Sequence, residues 1–172
     1  MIASIKPLLL RTLTHPWRAL VWRYLKAKIR KQFPTAEPIS TQELADWLRQ
    51  KNRPQPVLLD VRRAEEFAVS HLPQAQAIST VEEVLKAGLT PDSPLVTYCS
   101  IGYRSARLAA QLQAAGFTQV YNLEGSIFQW FNEGRQVVTN GEPTDRVHPY
   151  SKAWGLLLEP HTLLKRDQPQ LQ

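Results

Sequence analysis

Pro94-Leu-Val-Thr-Tyr98-Cys99-Ser-Ile-Gly-Tyr-Arg104-Ser105 is the stretch on which the reading of the chain turns. Its first half is a short apolar run behind a proline, the form of a strand buried on both faces. Its second half passes through Gly102 into a strongly helical segment carrying Ala106, Leu108, Ala109, Leu112 and Ala115, with Gly116 placed for a left-handed cap. Cys99, the only cysteine, therefore stands where a strand ends and a helix is about to begin. Ligands of open α/β sheets bind at strand C-termini. A loop curling into a helix start also points several backbone N–H groups at one spot, and the helix dipole adds partial positive charge. A thiolate held there is stabilised, which can bring a cysteine from ~8.5 into the range of roughly 3.5–7.5. Gly102 permits the tight turn, and Arg104 can fix the loop or meet an anion bidentately. A lone free cysteine is commonly an inert core residue, but the strand, glycine, arginine and helix together favour a nucleophile.

The flanking sequence supplies the rest of an α/β domain. Pro56-Val-Leu-Leu-Asp60 predicts a second buried strand, Ala75 to Ile78 a shorter one and Val120 to Leu123 a further one. Between them, Ala64 to Val69 and Val81 to Ala87 read as helices, the latter ending at Gly88. Pro34 and Pro38 bracket a connector, after which Ser40-Thr-Gln-Glu43 is a capping box opening a helix through Leu44, Trp47 and Leu48. Ser126 to Phe131 predicts a last helix, ended near Gly134. Strands alternating with helices imply a mostly parallel central sheet with helices on both faces.

Cys99-Ser-Ile-Gly-Tyr-Arg104-Ser105 resembles the active-site loop of the rhodanese-like family, in which four residues separate cysteine from arginine. Leu58-Leu-Asp60-Val-Arg62 and Glu65-Glu-Phe67 resemble the family's aspartate–valine–arginine strand end and the acidic-aromatic helix after it. Ser70-His71-Leu-Pro73-Gln-Ala75 is similar to its glycine-histidine-isoleucine-proline-glycine-alanine loop, and Ala115-Gly-Phe117 and Leu123-Glu-Gly125-Ser-Ile-Phe-Gln-Trp130 to its closing strand and helix. The likeness runs over about 100 residues, with Ser70, Gln74 and Ser126 standing where the family usually has glycine. It implies a single-domain sulfurtransferase moving sulfane sulfur from a donor such as thiosulfate to a thiol or cyanide-like acceptor through a Cys99 persulfide. By the same resemblance, backbone groups along Ser100, Ile101, Gly102, Tyr103, Arg104 and Ser105 cradle the sulfur, an assistance of the oxyanion-hole type. Asp60 and Arg62 are expected to hold this loop by an ion pair, with direct substrate contact as the alternative. His71 is expected to be a structural hydrogen-bonding residue, because a low-pKa thiolate needs no base.

Two other functions remain open. Cysteine phosphatases and arsenate reductases also hold a thiolate at a helix start, but with five residues between cysteine and arginine, a wider cradle than the four found here. A non-catalytic rhodanese-like recruitment module often lacks the cysteine that this chain keeps.

Composition bounds the remaining choices. The chain has 172 residues, 43% of them hydrophobic, enough for one domain with extensions. One cysteine excludes an intrachain disulfide and a multi-cysteine metal site, and the four histidines show no ligand spacing, so neither metal nor other cofactor is expected. It also fits a reducing, cytoplasmic setting. The net charge of +6 is uneven: residues 1–36 carry eight basic side chains and no acid, leaving 13 basic and 15 acidic residues elsewhere. Nucleic acid is accordingly not an expected partner.

The expected division is a basic helical arm at 1–36, a rhodanese-like domain at 39–139 and an extension at 140–172 whose polar end is disordered. In the arm, arginines interrupt every apolar run, so neither a membrane span nor a secretory signal is expected; a transit peptide remains open. From Pro16 the arm predicts a helix with Val21, Trp22, Leu25, Ile29 and Phe33 on one face and Arg23, Lys26 and Arg30 opposite. That face could pack on the domain itself, lie on an anionic membrane surface or meet a partner protein. In the extension, Gly141-Glu-Pro143 reads as a turn and Val147 to Tyr150 as extended. The apolar Trp154 and Leu156 to Leu158 then pack on the domain, pack on the N-terminal helix, or form an interaction site.

Overall fold

A computed structural model describes residues 16–159; the expectations for 1–15 and for the polar end at 160–172 lie outside the described residues. The fold is α/β, with helices covering a five-stranded sheet in which every pairing is parallel. In chain order the sheet holds β1 (Glu37–Ile39), β2 (Val57–Asp60), β3 (Gln76–Ala77), β4 (Leu95–Tyr98) and β5 (Val120–Leu123). Spatially they run β1-β5-β4-β2-β3. All four residues of β4 are buried, as its unbroken apolar run requires of a central strand.

The helices are α1 (Pro16–Gln32), α2 (Thr41–Arg49), α3 (Ala64–Val69), α4 (Val81–Lys86), α5 (Tyr103–Ala114), α6 (Ser126–Asn132) and α7 (Lys152–Gly155). Two apolar clusters divide them between the faces of the sheet. Leu44 and Trp47 of α2 join Ile127, Phe128 and Phe131 of α6 in one, while Val84 of α4 joins Ala106, Ala109 and Leu112 of α5 in the other. The capping box before α2 is present in full, with Glu43 N–H on Ser40 Oγ at 3.1 Å and Ser40 N–H on Glu43 Oε2 at 2.9 Å.

Two features differ from the sequence expectation. The connector around Pro38 is strand β1, paired to β5 with Ile39 opposite Leu123. As the outer strand of the sheet it pairs on one side only and so tolerates a proline. The supposed turn at Gly141-Glu-Pro143 belongs to an antiparallel hairpin of β6 (Val137–Thr139) and β7 (Glu142–Thr144). Its turn is Asn140-Gly141, both at positive φ (49° and 83°), the conformation that joins two twisted strands most directly.

The terminal segments lie on the domain. The apolar face foreseen for α1 turns inward: Leu25 enters one core cluster and Ile29 the other, with Val21, Trp22 and Phe33 half-buried beside them. Arg30 Nε donates to Glu124 Oε1 at 2.5 Å, and Lys26 adds an ion pair to the same carboxylate. After the hairpin, Leu157 is buried in the cluster that contains Leu25, and Trp154 packs against it. Among the described residues no helix is long and apolar enough to cross a membrane.

Candidate active site

Cys99 follows β4 and is 1% exposed. Its own N–H donates to Ser126 Oγ at 3.1 Å, fixing the start of the loop to the start of α6. The chain then curls back so that the Gly102 N–H donates to Cys99 Sγ at 3.2 Å. The amides of Ser105 and Ile101 aim at the same sulfur. Gly102 has φ 105°, and a Cβ there would meet only ordinary contacts, so backbone conformation and not space calls for glycine. The α6 amides of Ile127 and Phe128, at a helix start where N–H groups lack helical partners, donate to the carbonyls of Cys99 and Ser100. Burial pushes the Cys99 thiol up, but the Arg104 charge and the three loop amides outweigh it, and the net shift is below the ordinary thiol value.

Arg104 owes its position to a residue that the sequence reading did not single out. Glu66 of α3, 1% exposed, accepts Arg104 Nη1 on Oε2 and Nη2 on Oε1, both at 2.8 Å. Oε1 also accepts Ser100 Oγ at 3.1 Å, and Oε2 the Arg63 N–H at 3.1 Å. Burial would raise the Glu66 pKa, yet the hydrogen bonds and charge of Arg104, with those of Arg63 and Ser100, bring it down to about 2. One buried carboxylate thus holds both ends of the loop, at Ser100 and at Arg104. In sequence, Glu65 and Glu66 are equivalent candidates; the helix start at Arg63 turns Glu66 inward and leaves Glu65 exposed.

Asp60 and Arg62 occupy a different place from the one foreseen. They pair with each other, Arg62 Nη2 to Asp60 Oδ2 at 2.7 Å, with both side chains fully buried. Arg62 Nη2 also donates to the Ser70 carbonyl at 2.5 Å, and the Leu72 N–H to the Tyr98 hydroxyl at 3.1 Å. Their ion pair therefore braces the 70–72 turn against β2 and β4, and the carboxylate that grips the cysteine loop is Glu66. His71 stacks on Phe67 with ring centroids 3.9 Å apart, and its Nδ1 lies 3.2 Å from the Phe67 carbonyl.

The remaining loop residues are structural supports of the sulfur position. Ser105 is buried, and its hydroxyl donates to Asn122 Oδ1 at 2.7 Å, tying α5 to β5. The Tyr103 hydroxyl accepts Gln32 Nε2 at 2.7 Å, and its ring meets Phe33 edge-on at 5.3 Å, so the loop is joined to the end of α1. Two of the three positions where serine or glutamine replaces glycine keep a left-handed backbone, Gln74 at φ 63° and Ser126 at 49°. At Ser126 the side chain offsets the conformational cost: its hydroxyl accepts from Cys99 and donates to the Leu123 carbonyl at 3.0 Å.

Comparison with known proteins agrees with this geometry. A family model described as "Rhodanese-like domain" matches residues 40–133, just over half of the chain. The chain is 38% identical over 77 residues to the thiosulfate sulfurtransferase GlpE of Pseudomonas savastanoi pv. phaseolicola, a match spanning 43% of this chain and 71% of that protein. It is 34% identical over 97 residues to the probable adenylyltransferase/sulfurtransferase MoeZ of Mycobacterium tuberculosis, covering 54% of this chain but only 24% of that much longer relative. The 30 kDa polysulfide-sulfur transferase homodimer of Wolinella succinogenes superposes with a TM-score of 0.52 at 26% identity, over 76% of this chain and 93% of that one. Fold, cysteine loop and matched segment coincide, and the chain belongs to the rhodanese-like family.

Proposed function

We propose that this protein is a sulfurtransferase that carries sulfane sulfur on Cys99. The observation that supports it best is the cradle around Sγ, where the Gly102 amide donates at 3.2 Å and Arg104 lowers the thiol pKa. The Cys99 thiolate attacks the outer sulfur of a donor such as thiosulfate. The new S–S bond forms as the donor's S–S bond breaks, and sulfite leaves with that electron pair. The loop amides and Arg104 stabilise the resulting persulfide anion. A thiolate or cyanide acceptor then attacks the outer sulfur, and the electrons of the cleaved bond restore the Cys99 thiolate. The chemistry calls for no cofactor and suits a reducing compartment such as the cytoplasm. Intact-mass measurement after incubation with thiosulfate and, separately, with a thiosulfonate tests it: wild type gains one sulfur atom, removable by cyanide, and no gain on Cys99 from either donor overturns it.

The basic arm carries a proposal about location. With the inward face of α1 occupied by the domain, its outward stripe of Trp17, Leu20, Tyr24 and Lys31 is exposed, combining apolar and cationic groups. Such a stripe suits attachment to an anionic membrane surface, from which the active-site loop of the attached domain would work.

A further inference from the structure

Neither terminal segment belongs to the stretch matched by the family model, yet both stand over the cysteine. Leu25, Lys28 and Ile29 of α1 form one wall of a cavity of about 360 Å³, and Tyr150 and Trp154 from the C-terminal extension form another. Cys99 and Arg104 lie at its base. The walls are mostly apolar and aromatic. The segments are also held against the loop, through Gln32 on the Tyr103 hydroxyl and through the Tyr150 ring, whose centroid is 4.9 Å from the Arg104 guanidinium carbon.

Charge decides what such a cavity prefers. Arg104 already faces the Glu66 carboxylate, through two hydrogen bonds, and the Cys99 thiolate. Lys28 is the other cation of the lining and has no ion pair among the described residues. A thiosulfate dianion arriving beside the thiolate would bring two negative charges against one unmatched positive charge, and would leave the apolar walls without a partner. A monoanionic organic molecule balances Lys28 and fills the walls. The volume sits at the lower end of small-molecule sites, suited to one ring or a short branched chain.

We propose that the two terminal extensions build a specificity pocket for organic sulfane-sulfur donors, monoanions of the persulfide or thiosulfonate type with an apolar body. This rests on the sulfurtransferase reading above. For a thiosulfonate, the Cys99 thiolate forms a bond to the terminal sulfur, the S–S bond of the donor breaks, and the sulfinate departs with the bonding pair. Cys99 is left as the persulfide anion. The apolar body lies between α1 and Trp154, and the departing anion faces Lys28.

Benzenethiosulfonate and methanethiosulfonate share the reacting group and the charge and differ only in the body. Each donor's kcat/KM, with cyanide as acceptor, is normalised to its rate with a free small thiolate. The full chain should favour the aryl donor by about tenfold or more, the range that apolar pocket contacts supply. Trp154→Ala, which alters a half-buried side chain of the short α7, should reduce that ratio several-fold. Equal normalised rates in the wild type, or a ratio unmoved by Trp154→Ala, would overturn the pocket assignment while leaving sulfur transfer intact. If neither thiosulfonate nor thiosulfate loads Cys99, the sulfurtransferase reading itself fails, and the inference with it.

Discussion

The carboxylate of Glu66 and the guanidinium of Arg104 meet face to face through two parallel 2.8 Å hydrogen bonds, although α3 and α5 contribute one residue each from 38 positions apart. Glu66 is almost wholly buried, whereas 26% of the Arg104 side chain remains exposed. The pair anchors the cationic end of the cysteine loop without neutralising the field at Sγ, because Arg104 still lowers the Cys99 pKa against burial.

Glu66→Gln should therefore destabilise the protein in a pH-dependent way. The folded carboxylate titrates near 2 against an ordinary value of 4.5, so the unfolded chain binds the proton more readily in between. The stabilisation is fully present above about pH 4.5 and is lost as the pH falls towards 2. That shift corresponds to roughly 3 kcal/mol, and hydration open to the partly exposed Arg104 brings the expected loss to about 2 kcal/mol. Urea unfolding at pH 7 and at pH 3 checks it: the difference between wild type and variant should shrink at the lower pH.

Arg104→Ala should raise the pKa of the Cys99 thiol, since burial would then be opposed by the loop amides alone. The acid limb of the pH–activity profile should move to higher pH, and alkylation of Cys99 by iodoacetamide should shift with it. Removing a charge of this kind from the cradle lowers turnover at neutral pH by about a hundredfold. An unchanged alkylation profile would show that Arg104 has no electrostatic part in the site.

Cys99→Ser should abolish sulfur transfer while preserving the fold. The hydroxyl is close in size to the thiol and can accept the Gly102 N–H in its place, but it is far too basic to ionise there. Circular dichroism and thermal unfolding close to wild type, with no thiosulfate-to-cyanide activity, are the expected results.

The parts of this site legible in the sequence were those specified locally. β4, the Cys99 loop and α5 are contiguous, and each carries its own signal: an apolar run, a glycine at φ 105° and a periodic helix. The Ser40–Glu43 capping box is local in the same way. Glu66 was not legible as the loop anchor because its partner is remote and Glu65 has the same chemistry. β1 was not, because three residues including Pro38 give too little pattern to distinguish an outer strand from a connector. The cavity walls come from opposite ends of the chain, and no spacing relates Leu25 to Trp154.

Ser126 offers a test of how the loop is held from the α6 side. Substitution by glycine relieves a left-handed backbone worth about 1 kcal/mol but strips the buried Cys99 N–H of its partner, which costs roughly 1–3 kcal/mol. Alanine loses the same hydrogen bonds and keeps the strain. The expected order of stability is wild type, then Ser126→Gly, then Ser126→Ala, the last pair separated by about 1 kcal/mol. Equal stability of all three in chemical denaturation would mean that the hydroxyl does not support the loop.

The outward stripe of α1 makes the proposed location testable without dismantling the fold. Deleting residues 1–36 would remove Leu25 and Ile29 from the two core clusters and one wall of the cavity, so loss of function in such a truncation would say little about membranes. Trp17, Leu20 and Tyr24 are exposed and lie on one side of the helix, where their replacement by alanine leaves the packed face alone. Each basic residue near an anionic surface contributes about 1 kcal/mol, so three or four of the eight would strengthen binding by roughly a hundredfold or more. Insertion of the three apolar side chains adds to this in proportion to the area removed from water. Wild-type protein should co-sediment with phosphatidylserine-containing vesicles, less so as salt is added, because screening shortens the reach of the exposed charges. The triple alanine variant should bind at least about tenfold more weakly while keeping its thermal stability. Equal binding by the two proteins, or none by either, would mean that α1 serves only the domain on which it packs.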